Sequence, residues 1–416
     1  MPFVPLLILL FSLPLAAAGQ HIGASLACIW LIGLASQKKD ARVFFLSLLR
    51  EFKIPFFSSI AFILVLIVSS LINGHATNGY ILHFVLGHLI WVFLPFIVLD
   101  GVRRLREYEI HRIKIILLIL CFLLGIIAFS QWIFNWRVVG SSIVSSPPRA
   151  RGFYSHPLTF AYVSILFLPF ALRNWIDNFK SLVSWLSVLG IFSALLFSES
   201  RTVLAVAALV VVLNIIQSGS LKARILLLFV GITAGSVVIG TDNPLSLKIK
   251  ATLSHEGFDR NSGYQDDRIA FWHAHYEIIK EKPILGHGIG LSKDYLLPYY
   301  ERIGLAHFKR IYPAHNMYIQ ILANGGIVAL LFFLTWYGWA LRACWRLKAT
   351  SGYSNIFMQI FVALALASLT QNSFQDSEVR YSLTIVMTAL MYFVYDKEHL
   401  GIEKSCRVMS EKHSLL

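Results

Sequence analysis

Charged residues are scarce in this chain: Lys, Arg, Asp and Glu make up 14% of 416 residues, against about a quarter in soluble globular proteins. With 57% hydrophobic residues and a mean hydropathy of +0.67, that scarcity excludes a soluble core. No Lys or Arg precedes Lys38, so the apolar N-terminus lacks the basic region of a secretory signal, although it ends in the peptidase-like Ala16-Ala17-Ala18-Gly19. A helical hairpin is expected there instead. The four cysteines, Cys28, Cys121, Cys344 and Cys406, all fall in apolar runs or on the side that positive charge marks as cytoplasmic, so neither an external disulfide nor a thiolate metal site is expected. Linkers, internal repeats, low-complexity tracts and like-charge blocks are lacking as well, which points to one integral membrane unit over residues 1–416.

What the chain does have is apolar runs of membrane-spanning length from end to end. They lie near 2–18, 21–36, 54–72, 81–100, 115–134, 158–173, 182–198, 202–217, 225–241, 316–341, 355–371 and 381–395. The expected fold is therefore all-α and polytopic, with about 12 transmembrane helices. With both termini inside, 21 of the 36 Lys and Arg fall on the cytoplasmic side. Ten of the other 15 sit in the long loop of 242–315 between the ninth and tenth spans, leaving five in the short external loops. The net charge of +14 suits contact with anionic lipids and phosphorylated glycolipids better than with nucleic acid.

That long external loop concentrates the polar chemistry. Asp266, Asp267, Arg268, Phe271, Trp272, His273 and His275 lead into Tyr276, Glu277 and Lys280 at helical spacing, which predicts an amphipathic helix along the membrane surface. After Lys282-Pro283 comes Gly286-His287-Gly288-Ile289-Gly290. This segment follows no strand and lacks the Lys-Ser/Thr pair of a phosphate loop, so a tight turn is its simpler reading. Adjacent carboxylates such as Asp266 and Asp267 diverge on a helix and suit a loop salt bridge better than a metal. The loop aromatics Trp272, Tyr295, Tyr299, Tyr300 and Tyr312 suit either sugar stacking or the membrane interface.

Next, Ala314-His315-Asn316-Met317-Tyr318-Ile319-Gln320 carries polar groups into a span that contains Gly325-Gly326, where another backbone or a ligand could approach closely. Two readings of its start stand side by side: Asn316 caps the helix and His315 is interfacial, or His315 is a site residue. Four arginines face the same compartment, namely Arg149 and Arg151 in Pro148-Arg149-Ala150-Arg151-Gly152, Arg201 in Ser198-Glu199-Ser200-Arg201-Thr202, and Arg268. A charge so near hydrocarbon needs an anion, which for Arg201 is either Glu199 or a substrate phosphate bound in bidentate fashion.

On these motifs, and over most of its length, the chain resembles the O-antigen ligases and their relatives, the O-antigen polymerases and protein O-oligosaccharyltransferases. The resemblance rests on twelve spans, one large periplasmic loop before the tenth, the Ser-Glu-Ser-Arg-Thr turn, the Asp-Arg helix, the Lys-Pro-Ile-Leu-Gly-His-Gly-Ile-Gly segment and the Ala-His-Asn-Met-Tyr-Ile-Gln followed by Gly-Gly. It implies a GT-C-like inverting glycosyltransferase of the Gram-negative inner membrane, with no metal, nucleotide or other cofactor. Such an enzyme moves polysaccharide from undecaprenyl diphosphate to the lipid A core. By the same resemblance, Arg201 and Arg268 match diphosphate-binding arginines and His315 the proposed base, while Arg149, Arg151, His287 and Tyr318 are further candidates for substrate binding. A polymerase or protein O-oligosaccharyltransferase is the same-class alternative. A polysaccharide or lipid transporter is the other-class one; against it, the spans hold few ionisable groups, and His83 and His88 read as polar packing residues.

Overall fold

The computed structural model describes residues 3–15, 17–36, 41–74, 77–136, 149–217, 225, 228, 267–305, 313–347, 353–373 and 376–394. Among them there is no strand. Helices α1 (Phe3–Ser12) and α2 (Ala17–Ser36) form the N-terminal pair, followed by α3 (Ala41–Glu51), α4 (Lys53–Asn73), α5 (Asn78–Arg103) and α6 (Glu107–Phe134). Then come α7 (Pro157–Asp177), α8 (Leu182–Phe197) and α9 (Arg201–Gln217). After α9 lie α10 (Asp267–Glu281), α11 (Lys293–Arg302), α12 (Met317–Leu347) and α13 (Ser354–Ala367), and a last helix, α14, covers 377–394.

Five of these, α4, α5, α6, α7 and α12, are long and apolar enough to cross a membrane, and α1, α8, α9 and α13 are shorter apolar helices. The protein is an all-α polytopic membrane protein. The expected span at 225–241 and most of the loop of 242–315 before Asp267 lie outside the described residues. The helix α3 was not anticipated; it seats Leu48, with Phe52 just beyond it, against Phe96, Leu99 and Met391.

Small residues set how closely the helices approach. A Cβ on Gly125 of α6 would stand 2.4 Å from the Cα of Gly190 on α8, so these helices touch backbone to backbone. Their neighbour α7 is the most enclosed element, with Phe160 through Leu168 all buried. It starts on His156, whose Nδ1 accepts from the Leu158 N–H at 3.1 Å, and on Pro157, which lacks the N–H that a first turn leaves unpaired.

One helix is broken, and the break organises the loop end of the molecule. At Gly326 the backbone of α12 takes φ 62° and ψ −165°, which interrupts the helical ladder inside an apolar element. Chain from the Gly-rich segment heals the gap. The N–H groups of His287 and Gly288 donate to the carbonyls of Ala323 and Asn324 at 2.8 and 2.7 Å, while those of Ile327 and Val328 donate to Pro283 and Ile284 at 2.8 and 3.3 Å. The segment is pinned to α4 as well, since the Ile289 N–H donates to Ser70 Oγ at 2.9 Å. Gly286-His287-Gly288-Ile289-Gly290 is thus more than a turn between loop helices: it completes a broken helix. The close approach that Gly325-Gly326 permits is made by backbone.

The helix α10 forms where the periodicity predicts one, but its apolar face turns to protein. Ala270, Phe271, Ala274 and Ile278 pack with Leu296, Tyr299 and Tyr300 of α11 and Ala323 of α12. That face is thus buried on α11 and α12. Among the loop aromatics, Tyr299 donates to Glu281 Oε2 at 2.7 Å and Tyr300 is wholly buried, so these two serve packing. Tyr312 and Asp266 lie outside the described residues.

Gly326→Ala should destroy the fold. Its Cβ would meet the Ile284 carbonyl oxygen at 2.1 Å in a left-handed conformation, a combination expected to cost more than about 3 kcal/mol. Gly338→Ala, in the same helix with nothing within 4 Å of the new methyl, should be neutral or stabilising by up to about 1 kcal/mol. Thermal unfolding of the two purified variants in detergent measures this, and equal melting temperatures would refute the splice as a folding requirement.

Candidate active site

The site assembles where several helices end on the side of α10 and α11. The turn between α8 and α9 is built first. Ser198 N and Glu199 N donate back to Ala194 and Leu196 at 3.1 Å each, and Glu199 then adopts φ 52°, a left-handed kink that frees the chain to restart as α9 at Arg201. Against this turn lies the segment before α7. Arg149 Nε donates to the Ser198 carbonyl at 3.0 Å and Ala150 N to that of Phe197 at 2.8 Å. Gln131 of α6 clamps the same segment, its Oε1 accepting from Arg151 N and Gly152 N at 3.0 and 2.9 Å and its Nε2 donating to the Gly152 carbonyl at 2.8 Å.

This folding gathers charge. Burial lowers the Arg149 guanidinium's affinity for its proton, Glu199 opposes that effect, and the charges of Arg201 and Arg268 add to it. Arg201 and Arg268, 52 and 119 positions further along the chain, therefore both act on Arg149, as does the buried carboxylate of Glu199. Arg268 on α10 is close enough to influence Tyr162 on α7. A cluster of guanidiniums, half-buried at Arg149 and Arg268 and exposed at Arg201, is an anion site with planar, bidentate donors.

His315 joins the same region. It sits at φ 47°, one residue before Asn316, whose Oδ1 caps α12 by accepting from Tyr318 N at 3.0 Å and Ile319 N at 3.1 Å. The capping reading of Asn316 and the site reading of His315 thus coexist. His315 Nδ1 meets Gln371 Oε1 at 2.7 Å, so Nδ1 carries the hydrogen and Nε2 the lone pair. The Phe271 ring lies 5.5 Å away, centre to centre. The arginines and His315 are linked through His156: burial pushes its imidazole down to about 4, and the charges of Arg149, His315 and Arg151 reinforce that.

Three of these supports carried no signal in the sequence. His156 belonged to no motif, Gln371 read as the end of a span, and His275 as one polar residue of an amphipathic helix. His275 is wholly buried, donates from Nδ1 to the Phe271 carbonyl at 2.8 Å, and has its imidazole pushed down to about 4 by burial, with His315 adding to the effect. Their roles follow from tertiary neighbours alone.

Two expected site residues are placed elsewhere. Both nitrogens of His287 are engaged, Nδ1 by the Tyr295 hydroxyl and Nε2 by the Ile278 carbonyl at 2.9 Å, so it ties α10 to α11 as a buried strut. Tyr318 donates its hydroxyl to the Ala365 carbonyl at 3.1 Å and packs towards Phe333. Arg151 is half-buried; its Nη1 reaches the Ser155 carbonyl at 3.5 Å, at the rim of the cluster.

The fold and this cluster define a class, a polytopic all-α membrane protein with arginines and an imidazole gathered at one end of its bundle. A family model described as O-antigen ligase matches residues 186–334. The match spans Arg201, Arg268, His287, His315 and Tyr318, and it supports a function of the O-antigen ligase or polymerase type in lipopolysaccharide biosynthesis. No curated protein matches the chain.

Two neutral imidazoles, half-buried His156 and wholly buried His275, make stability depend on pH with a definite sign. As pH falls from about 6.5 towards 4, the unfolded chain binds protons that folded His156 and His275 refuse, so stability is complete above that window and is lost within it. His275→Phe should remove its share, narrowing the loss of stability between pH 7 and 5 by up to about 2 kcal/mol. Thermal unfolding at the two pH values reads the difference, and an unchanged slope would exclude His275 as its source.

Proposed function

We propose that the protein is a metal-independent, inverting glycosyltransferase that joins O-antigen polysaccharide to the lipid A core on the periplasmic face of the inner membrane. The observation that carries this reading is the gathering of Arg149, Arg201, Arg268 and His315 at one end of the bundle. The donor is polysaccharide linked to undecaprenyl diphosphate; the acceptor is a hydroxyl of the core oligosaccharide. The positive charge of the short loops supports an arrangement with both termini cytoplasmic and the site on the opposite side.

The chemistry follows from the groups present. The acceptor oxygen attacks the anomeric carbon from the face opposite the diphosphate, and the bond from that carbon to the phosphate oxygen breaks with its electron pair. Undecaprenyl diphosphate leaves with growing negative charge, which Arg149, Arg201 and Arg268 receive. The proton of the acceptor hydroxyl passes to His315 Nε2, while Gln371 holds the opposite nitrogen and so fixes the ring's tautomer. Arginines suit the departing diphosphate better than lysines because they offer paired donors in a rigid plane.

The test is a reconstituted reaction of purified protein with lipid-linked polysaccharide and rough lipopolysaccharide, with EDTA present and ATP omitted. Wild type should yield the ladder of capped lipopolysaccharide. Arg201→Ala and Arg268→Ala should each lower the rate by about 100- to 1,000-fold, and His315→Ala should abolish the ladder. A full ladder from His315→Ala would remove the base assignment. Growth of polymer on the carrier lipid without transfer to lipopolysaccharide would identify a polymerase, and transfer to protein an oligosaccharyltransferase. Movement of lipid without covalent transfer would identify a transporter.

A further inference from the structure

A further cation, not one of the arginine cluster, lies inside the bundle. Arg380 is in the first turn of α14, where its Nη1 donates to His88 Nε2 of α5 at 2.8 Å. His88 Nδ1 in turn donates to the Phe84 carbonyl at 2.8 Å, which fixes the hydrogen on Nδ1 and leaves Nε2 to accept. His88 is therefore a neutral imidazole that aims the guanidinium, and the carboxylate of Asp376 lies close enough to act on its charge. His21 of α2 is close enough to feel both Arg380 and His83. The Arg380 N–H donates to the Asp376 carbonyl at 3.1 Å, while the Asp376 side chain accepts from Thr159 Oγ1 on α7.

Two spaces meet at this guanidinium. Towards the loop end is a polar chamber of about 480 Å3, lined by Arg380, His21, His83, His88, Tyr80 and Gln320. Below it runs an apolar slot of about 120 Å3 between α4, α5, α12 and α14, lined by Phe62, Ile63, Pro95, Phe96, Phe333 and Trp336. His88 and Arg380 border both. A cationic chamber opening onto an apolar slot has the outline of an anionic amphiphile, with its headgroup at the guanidinium and its chain among the aromatics.

We propose that Arg380, aimed by His88 and flanked by His21 and His83, binds a phosphate of the acceptor glycolipid, with an acyl chain seated in the slot below. That the ligand is the acceptor rests on the function proposed above. The arginine cluster offers three guanidiniums, which suits a diphosphate, whereas this chamber offers one, which suits a single phosphate group. The chamber also adjoins the loop of His315. Pro313 and Gln320 line it, and Gln320 Oε1 accepts from Ala314 N at 2.9 Å, one residue before His315. A glycolipid held by its phosphate here would present its sugars to His315 from the wall that His315's own loop builds, leaving the arginine cluster to the donor.

The test measures binding without turnover, with the full-length protein in nanodiscs. The probes are a phosphorylated lipid A-type glycolipid, the same lipid after enzymatic dephosphorylation, phosphatidylglycerol, inorganic phosphate and undecaprenyl diphosphate. Wild type should bind the phosphorylated glycolipid roughly tenfold more tightly than its dephosphorylated form. Arg380→Gln should erase that difference and leave undecaprenyl diphosphate binding unchanged; Arg380→Lys should restore part of it. If Arg380→Gln does not fold, His83→Asn and His21→Asn, whose side chains line the chamber, serve instead and should each weaken glycolipid binding several-fold. The proposal is overturned if phosphorylation makes no difference to wild type, or if phosphatidylglycerol or inorganic phosphate binds equally well. It is overturned too if the variants leave glycolipid binding intact or weaken the carrier lipid to the same extent. Failure of the ligation reaction with glycolipid binding intact would count against the function proposed above and leave this site standing.

Discussion

An interrupted helix in a membrane must have its freed backbone groups paired by protein, because hydrocarbon offers neither donors nor acceptors. The break in α12 at Gly326 imposes that constraint, and the rest of the loop end follows from how it is met. Four exchanged hydrogen bonds splice residues 283–288 into the gap, so the segment behind α10 becomes as fixed as a helix core. Glycine is required on both sides of the splice: a Cβ on Gly286 would stand 2.6 Å from the Asn324 carbonyl carbon, and one on Gly326 would meet the Ile284 carbonyl. Secured in this way, α10 packs on Ala323 and brings Phe271 and His275 beside His315, so a loop helix can supply site residues with the precision of a span.

The same constraint organises the polar groups beneath the site. Gln320 takes the Ala314 N–H and donates to Asn324 Oδ1 at 2.9 Å, while Asn372 donates back to Gln320 Oε1 at 3.3 Å. Buried amides are costly unless satisfied, and once satisfied they specify a single arrangement. Here they hold the His315 loop to α12 on one side and to the segment after α13 on the other, where Gln371 fixes the imidazole. The network thus transmits the geometry of the helix break to the imidazole nitrogens.

Much of this was legible in the amino-acid sequence, and the parts that were not share a cause. Periodicity and length located most helices to within a few residues, because apolar runs and polar interruptions are local properties. Arg201, Arg268 and His315 stood out because a charge or imidazole at a membrane edge is unusual in itself. His287 and Tyr318 were drawn in by proximity along the chain; the structure engages the first with Tyr295 and Ile278 and the second with the Ala365 carbonyl, partners that are remote in sequence or set by the fold. Arg380 was hidden for the opposite reason. Read from hydropathy, the last span starts at 381 and leaves the arginine in a loop, whereas α14 starts at 377 and carries it into the bundle against His88. Hydropathy marks where charge is disfavoured and says nothing of a buried partner that makes it tolerable.

Cations and imidazoles crowded together have a chemical consequence of their own. Around His156 the charges of Arg149, Arg151 and His315 add to burial in holding the ring neutral. The field that keeps an imidazole neutral also makes it a reluctant proton acceptor, so a site of arginines and histidines alone is poorly suited to general-base chemistry. An anionic diphosphate among Arg149, Arg201 and Arg268 changes the sign of the local field, and proton transfer to a neighbouring ring then becomes favourable. On the proposed function the donor substrate completes the base as well as supplying the leaving group. The arginines therefore act on both ends of the reaction, on the departing diphosphate directly and on the acceptor's proton through the imidazoles. Losses from removing an arginine and from removing His315 must then overlap, since each disables a step that needs the other.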